Sequence, residues 1–239
     1  MAFLDLTLPT AAENVALDEA LLQTAENGRS GGETLRLWEA REPVVVVGRS
    51  SQVAQEVNLA ACRRRGIEVL RRTSGGAAIV AGPGCLMYAM LISYRRRPAL
   101  RMIDQTHQFV LNRLAAAIGR LVPGVQVCGT SDLALGGKKF SGNSMRCRKR
   151  FLLYHGTLLY DFPLQLVGQC LSMPPRQPDY RRGRNHNDFM TNLPLSGDAL
   201  RQAVLSAWDS PAIAACWPKK MTRELVAERY LRPEWNFRR

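Results

Sequence analysis

The stretch Leu70–Met90 constrains this 239-residue chain more than any other. It reads LRRTSGGAAIVAGPGCLMYAM and contains two adjacent small-residue positions, Gly75–Gly76. Strand-like residues precede the glycines at Ile67–Leu70 and follow them at Ala78–Val80 and Leu86–Ile92. Because the strand signal resumes on both sides, the sequence predicts a tight connection between pairing strands at the two glycines.

The same connection has the composition of an anion site. Glycines without a Cβ let the backbone approach an anion and aim consecutive N–H groups at it, and Arg71 and Arg72 add positive charge. A plain hairpin turn with solvated arginines explains the same residues, because glycine turns are common. Neither a GxGxxG nor a GxxxxGK[ST] pattern is present, which excludes the dinucleotide and Walker motifs.

The composition indicates a folded chain without a membrane segment. Hydrophobic residues make up 46% of the sequence, enough to fill a core. No run approaches the ~20 apolar residues that span a bilayer, and MAFLDLTLPT lacks the pattern of a signal peptide. The six cysteines form no CxxC pair, which argues against zinc and a disulfide framework. We therefore expect a cytoplasmic protein with reduced thiols and no membrane partner.

The net charge of +13 favours acidic partners through long-range steering. Nucleic acid, acidic protein domains and phosphorylated metabolites all fit this charge. The basic residues occur in short clusters, and the chain has no helix-turn-helix signature, RNP-like aromatics or zinc spacing. A nucleic-acid-binding module is therefore only a distant alternative, and we expect no nucleic-acid partner.

Hydrophobic spacing predicts a mixture of helices and strands. An amphipathic helix over Thr10–Glu26 has Thr10 as its N-cap and ends at Asn27–Gly28, before a loop that reaches Glu33. Further strands are predicted at Thr34–Glu39, Pro43–Gly48, Val125–Cys128, Asp132–Leu135, Lys138–Ser141 and Phe151–Tyr160. Further helices are predicted at Asn58–Arg65, Met102–Val122, Ser196–Trp208 and Thr222–Tyr230.

The C-terminal half contains one long polar loop. Residues Pro174–Asn187 are proline-rich and basic with little apolar anchoring, and we predict a mobile lid that orders over a bound anion and excludes water. A static basic connection that meets an acidic partner is the alternative. We expect one domain over 1–239, with a core at about 10–210 and a closing helix and tail at 211–239.

Two later motifs make the sequence specific. Gly129–Ser144 reads GTSDLALGGKKFSGNS, and His155–Leu159 reads HGTLL. Together with RRTSGGAA and GPGCLMY, these motifs resemble the lipoate-protein ligase branch of the biotin and lipoate protein ligase superfamily, in order and in spacing. ENVALDEALL and VVVVGRSSQ are also similar to that family, so the resemblance covers about residues 10–165.

The resemblance implies a fold and an activity. The expected fold is α+β and class II synthetase-like, with a mixed, mainly antiparallel sheet and helices packed on one side. The expected enzyme binds lipoate, ATP and Mg²⁺, forms lipoyl-AMP and passes the lipoyl group to a lysine of a lipoyl-domain protein. Such acceptors include the acyltransferase subunit of a 2-oxoacid dehydrogenase and the glycine cleavage H protein.

The resemblance also assigns residues. Lys139 matches the family's strand lysine, which holds the substrate carboxylate and the α-phosphate, a task that suits a flexible ammonium; Lys138 faces away, because strand side chains alternate. His155 is either near the lipoyl group or a core residue, and Asp132 either binds Mg²⁺ and nucleotide or is a turn aspartate. The predicted ATP and adenylate site comprises Arg71, Arg72, Gly75, Gly76, Ala77, Ala78, Asp132 and Lys139. The predicted lipoate site comprises Gly75, Gly76, Lys139, Ser141, Gly142, His155 and Gly156.

The chain departs from the ligase pattern in ways that keep a second activity open. Ala77 replaces the third glycine of the SGGG run, and Gly82–Gly84 resembles the HGPGQ of octanoyltransferases. An octanoyl- or lipoyltransferase carries the acyl group as a cysteine thioester. One transferase group has this cysteine where the chain has Leu152, and another has it near Cys128, the alternative nucleophile. We also expect no C-terminal accessory domain, so that a separate accessory protein is a further expected partner of a short ligase.

Overall fold

The computed structural model describes residues 1–29, 32–208, 212–213 and 216–238. The domain boundary predicted at 211 lies outside these residues. The strands are β1 Ala2–Asp5, β2 Thr34–Trp38, β3 Val44–Val47, β4 Glu68–Arg71, β5 Ile79–Ala81, β6 Cys85–Ser93, β7 Val125–Cys128, β8 Asp132–Leu135, β9 Lys138–Cys147, β10 Phe151–Leu159 and β11 Ala212–Ile213. The helices are α1 Ala11–Glu26, α2 Val53–Glu56, α3 Leu59–Arg64, α4 Ile103–Gly119, α5 Gln165–Cys170, α6 His186–Phe189, α7 Gly197–Ser206, α8 Lys219–Leu225 and α9 Pro233–Asn236.

The main sheet is mixed and mainly antiparallel, which confirms the predicted fold class. Its strand order is β11-β1-β2-β6-β10-β9-β8-β7, and only the β11/β1 and β1/β2 pairs are parallel. The central hairpin of β9 and β10 pairs Ser144 with His155 and Asn143 with Gly156. Within the described part of the chain, no helix is both long and apolar enough to cross a membrane.

The glycine connection joins a second, smaller sheet of order β4-β3-β5. Strand β3 lies in the middle, with β4 parallel on one side and β5 antiparallel on the other. The predicted pairing of the strands that flank the two glycines is therefore wrong, because the buried strand Val44–Val47 takes both partners. Gly48 at the end of β3 leaves room for the connection, since a Cβ there would lie 1.9 Å from the carbonyl oxygen of Gly76.

Helices cover both faces of the main sheet, whereas the family resemblance implied one face. Leu22 of α1 packs on Leu91 and Leu153. On the opposite face, Val110 and Leu114 of α4 belong to a cluster with alternate residues of the same strands, including Tyr88, Met90 and Tyr154. The even and odd positions of β6 and β10 are both apolar, so each face binds helices.

The first helix begins and ends as its sequence predicts. Thr10 and Glu13 form a reciprocal capping box, and Gly28 follows the helix with φ +76°. Inside α1, Asp18 pairs with the buried Arg36 at 2.5 Å. This ion pair fixes α1 on the sheet and directs the next residue, Glu19, toward the cavity described below.

The C-terminal segment differs from the single helix predicted at Thr222–Tyr230. Helix α8 ends at Leu225, the next turn, Val226–Tyr230, is a π-helix, and α9 follows at Pro233–Asn236. The N–H of Leu231 donates to the carbonyl of Val226 at 3.0 Å, which is the spacing of a π turn. The segment returns to the body of the protein against α1 and β4.

Candidate active site

A cavity of about 400 Å³ lies between α1, the glycine connection and the central hairpin. Its mouth is lined by exposed residues, among them Gly76, Thr130 and Arg176. Its other end is closed by buried side chains that are each less than 10% exposed, namely Val15, Glu19, Trp38, Met87 and Tyr230. The cavity is therefore a one-ended pocket with a polar mouth and a mostly apolar interior.

Lys139 lies at the junction of this pocket and a second cavity. Its Nζ is 2.7 Å from Asp132 Oδ1, and the side chain is 26% exposed. Gly142 permits this position, because a Cβ there would lie 2.8 Å from the lysine Nζ. Lys138 is exposed and lines neither cavity, in agreement with the predicted alternation. The ammonium of Lys139 thus faces the pocket that Gly76 and Ala77 of the glycine connection also line.

Asp132 is fully engaged, and this bears on its predicted metal role. Tyr180 donates to its Oδ2 at 2.8 Å, while Lys139 occupies Oδ1. Among the described residues, no group of three His, Cys, Asp or Glu side chains is placed to hold a metal ion. Mg²⁺ needs carboxylates that are free to bind it. Both oxygens of Asp132 are thus bound in this arrangement, and its predicted role as a metal ligand stays a prediction.

Arg72 holds the glycine connection through hydrogen bonds to its carbonyl oxygens. It is buried and donates to the carbonyl oxygens of Val46 at 2.9 Å, Gly75 at 2.6 Å and Ala77 at 3.0 Å. Burial lowers the pKa of Arg72 to about 10, and Glu56 opposes this shift. The guanidinium stays charged at neutral pH and holds the loop in one shape, with Gly76 at φ +86°.

Arg71 does not belong to the cleft, and its predicted contact with ATP is corrected. Its guanidinium is buried and donates to carbonyl oxygens of Gly48 at 2.8 Å and Ser51 at 2.9 Å. It also donates to Trp235 at 3.1 Å and Arg238 at 2.7 Å. Consecutive strand residues point to opposite faces, so only one of the two adjacent arginines reaches the glycine connection.

Most of the other predicted site residues line the cavity, but some do not. Gly76, Ala77, Ala78, Gly142, His155 and Gly156 line it. The N–H of Ala78 already donates to Glu56 at 2.8 Å, so the predicted anion cradle loses this donor. The carbonyl of Gly75 accepts from Ser144 Oγ at 2.9 Å, and Ser141 is buried. Neither residue lines the cavity, and their predicted contacts with substrate stay predictions. Gly156 makes room for Asn143, which a Cβ would contact at 1.8 Å.

His155 lies in the cavity wall and is held by the glycine connection. Its Nε2 shares a hydrogen bond of 2.6 Å with Ser74 Oγ, and its Nδ1 is 3.9 Å from Asp18 Oδ2. Ser74 also accepts from Arg72 Nε at 3.0 Å. The histidine therefore ties β10 to the connection and lies between α1 and the mouth.

A second cavity of about 140 Å³ adjoins the first. The two share Lys139, Gly142, Thr157, Arg176, Pro178 and residues Ala77–Ile79. The remaining walls of the second cavity are largely apolar, with contributions from Val80, Val167, Leu171, Phe189 and Met190. The site thus has two chambers that meet at one lysine.

The cysteines include one, Cys128, that lies next to the site without lining it. Cys128 lies on β7 opposite Asp132 in the strand register and is only partly buried. Burial raises its pKa, and the negative charge of Asp132 raises it further. Neither lining includes a cysteine among the described residues. The Gly82–Gly84 turn also lines neither chamber; it packs on the backbone of Asp161, which a Cβ on Gly84 would approach to 2.2 Å.

The basic loop over Pro174–Asn187 has more apolar contacts than predicted. It contains a 3-10 turn at Asp179–Arg181, and Tyr180 packs against the buried Phe189 at 5.1 Å between ring centroids. Arg181 and Arg184 donate to each other's carbonyls and lie over the same ring. The loop residues that line both chambers are Arg176 and Pro178. The premise of little apolar anchoring is therefore wrong.

Several lining residues carried no signal in the sequence. Asp18, Glu19, Trp38, Asn143 and Tyr230 come from four separate parts of the chain and meet only in the fold. An acidic pair on the apolar face of α1 was the available clue, because charged residues are rarely buried without a partner. Trp38 is buried, lines the cavity and has an indole N–H without a hydrogen-bond partner.

The family to which the chain belongs is shown by comparison with known proteins. The family model of the lipoyl protein ligase A/B catalytic domain matches residues 10–204. The chain therefore belongs to this family.

Relatives of two kinds share this similarity. A lipoate-protein ligase A homologue of Aeropyrum pernix is 34% identical over 61% of this chain and 52% of its own length. The match thus spans about half of that protein. Octanoyltransferase LipM of Brevibacillus brevis is 25% identical over 95% of both chains.

Solved structures with the same fold cover nearly the whole chain. Lipoate-protein ligase A bound with ATP superimposes with a TM-score of 0.80 at 20% identity, covering 99% of this chain and 98% of that one. The bi-partite lipoate protein ligase of Thermoplasma acidophilum, studied with its E2 lipoyl domain, has a TM-score of 0.78 at 20% identity, covering 99% and 95%. At these identities the likeness establishes the fold alone.

Proposed function

We propose that this protein is an ATP-dependent lipoate–protein ligase. The observation that carries the proposal is the position of Lys139, which joins two chambers beside the glycine connection while no described cysteine lines either chamber. Two substrates that react with each other need adjoining sites and a cation between them. A cysteine is needed only when the enzyme itself carries the acyl group.

In the first step, a carboxylate oxygen of lipoate attacks the α-phosphorus of ATP and pyrophosphate leaves. Negative charge gathers on the phosphoryl oxygens, and an ammonium beside them stabilises the transition state. Lys139 fills this role by leaving Asp132 for the reacting oxygens. Arg72 acts indirectly, because it fixes the backbone of the connection that faces the phosphate.

In the second step, the ε-amine of an acceptor lysine attacks the acyl carbonyl of lipoyl-AMP. The C–O bond to AMP breaks, an amide forms, and the proton of the amine is lost. The adenylate is a mixed anhydride that water hydrolyses, so the pocket protects it by burial. The acceptor lysine is proposed to reach the carbonyl through the mouth.

The two chambers divide the adenylate between them. The larger chamber has a mostly apolar interior formed by Val15, Val46, Met87 and Leu153, which suits the acyl chain. The nucleotide is proposed to lie on the other side of Lys139, partly in the smaller chamber and partly outside it. The solved relative bound with ATP supports ATP binding by this fold, and Mg²⁺ is proposed to bind together with the nucleotide.

The acceptor is proposed to be an acidic lipoyl-domain protein. The structure of the Thermoplasma ligase with its E2 lipoyl domain supports this class of partner. The net charge of +13 speeds association with such a domain. We propose as acceptor either a dehydrogenase acyltransferase subunit or a glycine cleavage H protein. A separate accessory chain is proposed as a further partner.

An octanoyltransferase is the second candidate. Two observations favour it: the match to LipM covers 95% of both chains, and Cys128 lies opposite Asp132, the partner of Lys139. In that mechanism the Cys128 thiolate attacks an octanoyl thioester, the carrier thiol leaves, and the acceptor lysine then displaces the cysteine. The raised pKa of Cys128 opposes this role, because a thiolate is the required nucleophile.

One experiment separates the two activities. The protein is incubated with a lipoyl-domain acceptor and either lipoate plus ATP or an octanoyl-carrier protein without ATP, and the acceptor is weighed by mass spectrometry. Acylation that needs ATP and is accompanied by pyrophosphate release supports the ligase. Acylation from the carrier alone, with an acyl group trapped on Cys128, would instead establish the transferase. An acceptor whose target lysine is replaced by arginine is the control.

A further inference from the structure

The closed end of the larger chamber is built partly by the C-terminal segment. Tyr230 is completely buried and lines the chamber, although it lies 75 residues beyond His155. Its hydroxyl donates to Glu19 Oε2 at 2.7 Å, and Arg229 pairs with the other carboxylate oxygen. Two consecutive residues thus reach one buried carboxylate of α1.

The π turn accounts for this double contact. Val226–Tyr230 forms a π-helix, a rare geometry that inserts an extra residue into a turn and recurs at functional sites. Asn236 Nδ2 donates to the carbonyl of Tyr230 at 2.8 Å, and the ring of Trp235 meets the Tyr230 ring edge-on at 6.5 Å. The phenol is therefore held from behind as well as at its hydroxyl.

Arg71 anchors the C-terminal segment to strand β4 through hydrogen bonds. It donates to the carbonyls of Trp235 and Arg238, while its own carbonyl accepts from Trp235 Nε1 at 2.7 Å. The N–H of Arg71 also donates to Asn236 Oδ1 at 3.0 Å. Because Arg71 and Arg72 are adjacent, one arginine holds the chamber's end wall and the next holds the glycine connection.

We propose that Tyr230 is a specificity-determining residue that sets the length of the acyl chain this enzyme accepts. The proposal rests on the assignment of the larger chamber to the acyl group under the proposed function. A chain that enters at the mouth with its carboxylate near Lys139 runs toward the buried end, where the phenol of Tyr230 stands across its path. The substrate class is a medium-chain monocarboxylic acid, and longer chains collide with this ring.

The test measures binding of straight-chain acids of six to twelve carbons, and of lipoate, by titration calorimetry without ATP. Tyr230→Ala is expected to move the tightest-binding acid to a longer chain, with a gain of about fourfold in affinity for each additional buried methylene. Tyr230→Phe keeps the ring and loses the bond to Glu19, so its preferred length is expected to match the wild type.

A buried tyrosine outside the chamber provides the matched control. Tyr94 is 4% exposed and lines neither cavity, so Tyr94→Ala is expected to destabilise the protein without changing the preferred chain length. Should Tyr230→Ala fail to fold, Tyr230→Leu keeps an apolar side chain, removes the ring and is expected to give a smaller shift in the same direction. An unchanged length preference in a folded ring-less variant overturns the proposal.

Failure of the inference and failure of the proposed function give different results. If the wild type binds the acids and releases pyrophosphate but the Tyr230 variants keep its length preference, the inference alone fails. If the acids bind and the preference shifts without any release of pyrophosphate from ATP, the ligase activity alone fails. If the wild type binds none of the acids, both are overturned.

Discussion

Lys139 Nζ lies 2.7 Å from Asp132 Oδ1, and Tyr180 of the basic loop donates to the other oxygen of the same carboxylate at 2.8 Å. The lysine proposed to contact the reacting phosphate is therefore held, before substrate arrives, by an aspartate that also holds the loop. The carboxylate of lipoate and the phosphate of ATP together attract the Lys139 ammonium more strongly than Asp132, which Lys139 shares with Tyr180. The proposed exchange of partners would couple substrate binding to the loop through Asp132.

Replacing Lys139 tests its assigned role. Lys139→Ala is expected to lower the rate of lipoate-dependent pyrophosphate release by about 100-fold or more, because a preorganised cation is lost from the transition state. Lys138→Ala is the matched control, since its side chain is exposed and points away from both chambers, and its rate is expected to stay within about twofold of wild type. Pyrophosphate release that survives in Lys139→Ala would contradict the assignment.

Cys128 is expected to be dispensable in an ATP-driven ligase. Cys128→Ser should retain the rate of lipoyl transfer within about twofold, because the acceptor lysine attacks the adenylate directly. The raised pKa of the thiol leaves little thiolate at neutral pH, so its alkylation by iodoacetamide should keep accelerating as the pH rises past the ordinary range for cysteine. Rates for the peptide containing Cys128 are read by mass spectrometry. Lost activity together with a trapped thioester on Cys128 would favour the transferase.

The sequence predicted which residues lie at the site better than it predicted which way their side chains point. Lys139, Asp132 and the glycine pair were identified from motifs, and the structure gathers Lys139, Asp132 and one of the two glycines, Gly76, around one cleft. Arg71 and Arg72 could not be told apart, because adjacent strand residues face opposite ways and only the register decides which faces the cleft. The pairing of β4 beside β3 supplied that information.

Contacts between distant segments account for the rest of what was missed. Tyr230 reaches Glu19 through a π turn, and Ala78 is bound by Glu56, and neither pairing leaves a periodic signal in the sequence. The basic loop was predicted from composition, which counts its arginines but not the ring of Phe189 on which two of them pack. The local sequence pattern specifies helices and strands, whereas tertiary packing decides which distant side chains contact each other.

Arg71 is expected to stabilise the fold and leave nucleotide binding unchanged. Arg71→Ala leaves several buried carbonyls without donors and releases the C-terminal segment, so the free energy of unfolding should fall by about 3 kcal/mol. Arg64→Ala, which removes an exposed arginine, should change it by less than about 0.5 kcal/mol. Urea denaturation measures both. A KM for ATP that rises many-fold in Arg71→Ala at unchanged stability would restore the original adenylate-binding prediction.

Trypsin cleavage at two arginines of the basic loop distinguishes a local contact with the ligand from closure of the whole loop. Arg176 is exposed and lines both chambers, whereas Arg182 is exposed but lines neither. Brief trypsin treatment should cleave after both residues in the free enzyme, and after Arg181 and Arg184 more slowly, because their side chains are held by neighbouring carbonyls. Lipoate plus ATP should suppress cleavage after Arg176 by about tenfold, since an adenylate in the pocket pairs with this guanidinium. Cleavage after Arg182 serves as the internal control: suppression at both sites would support a lid that closes as a unit, whereas equal cleavage after Arg176 with and without ligands would remove this loop from the substrate site.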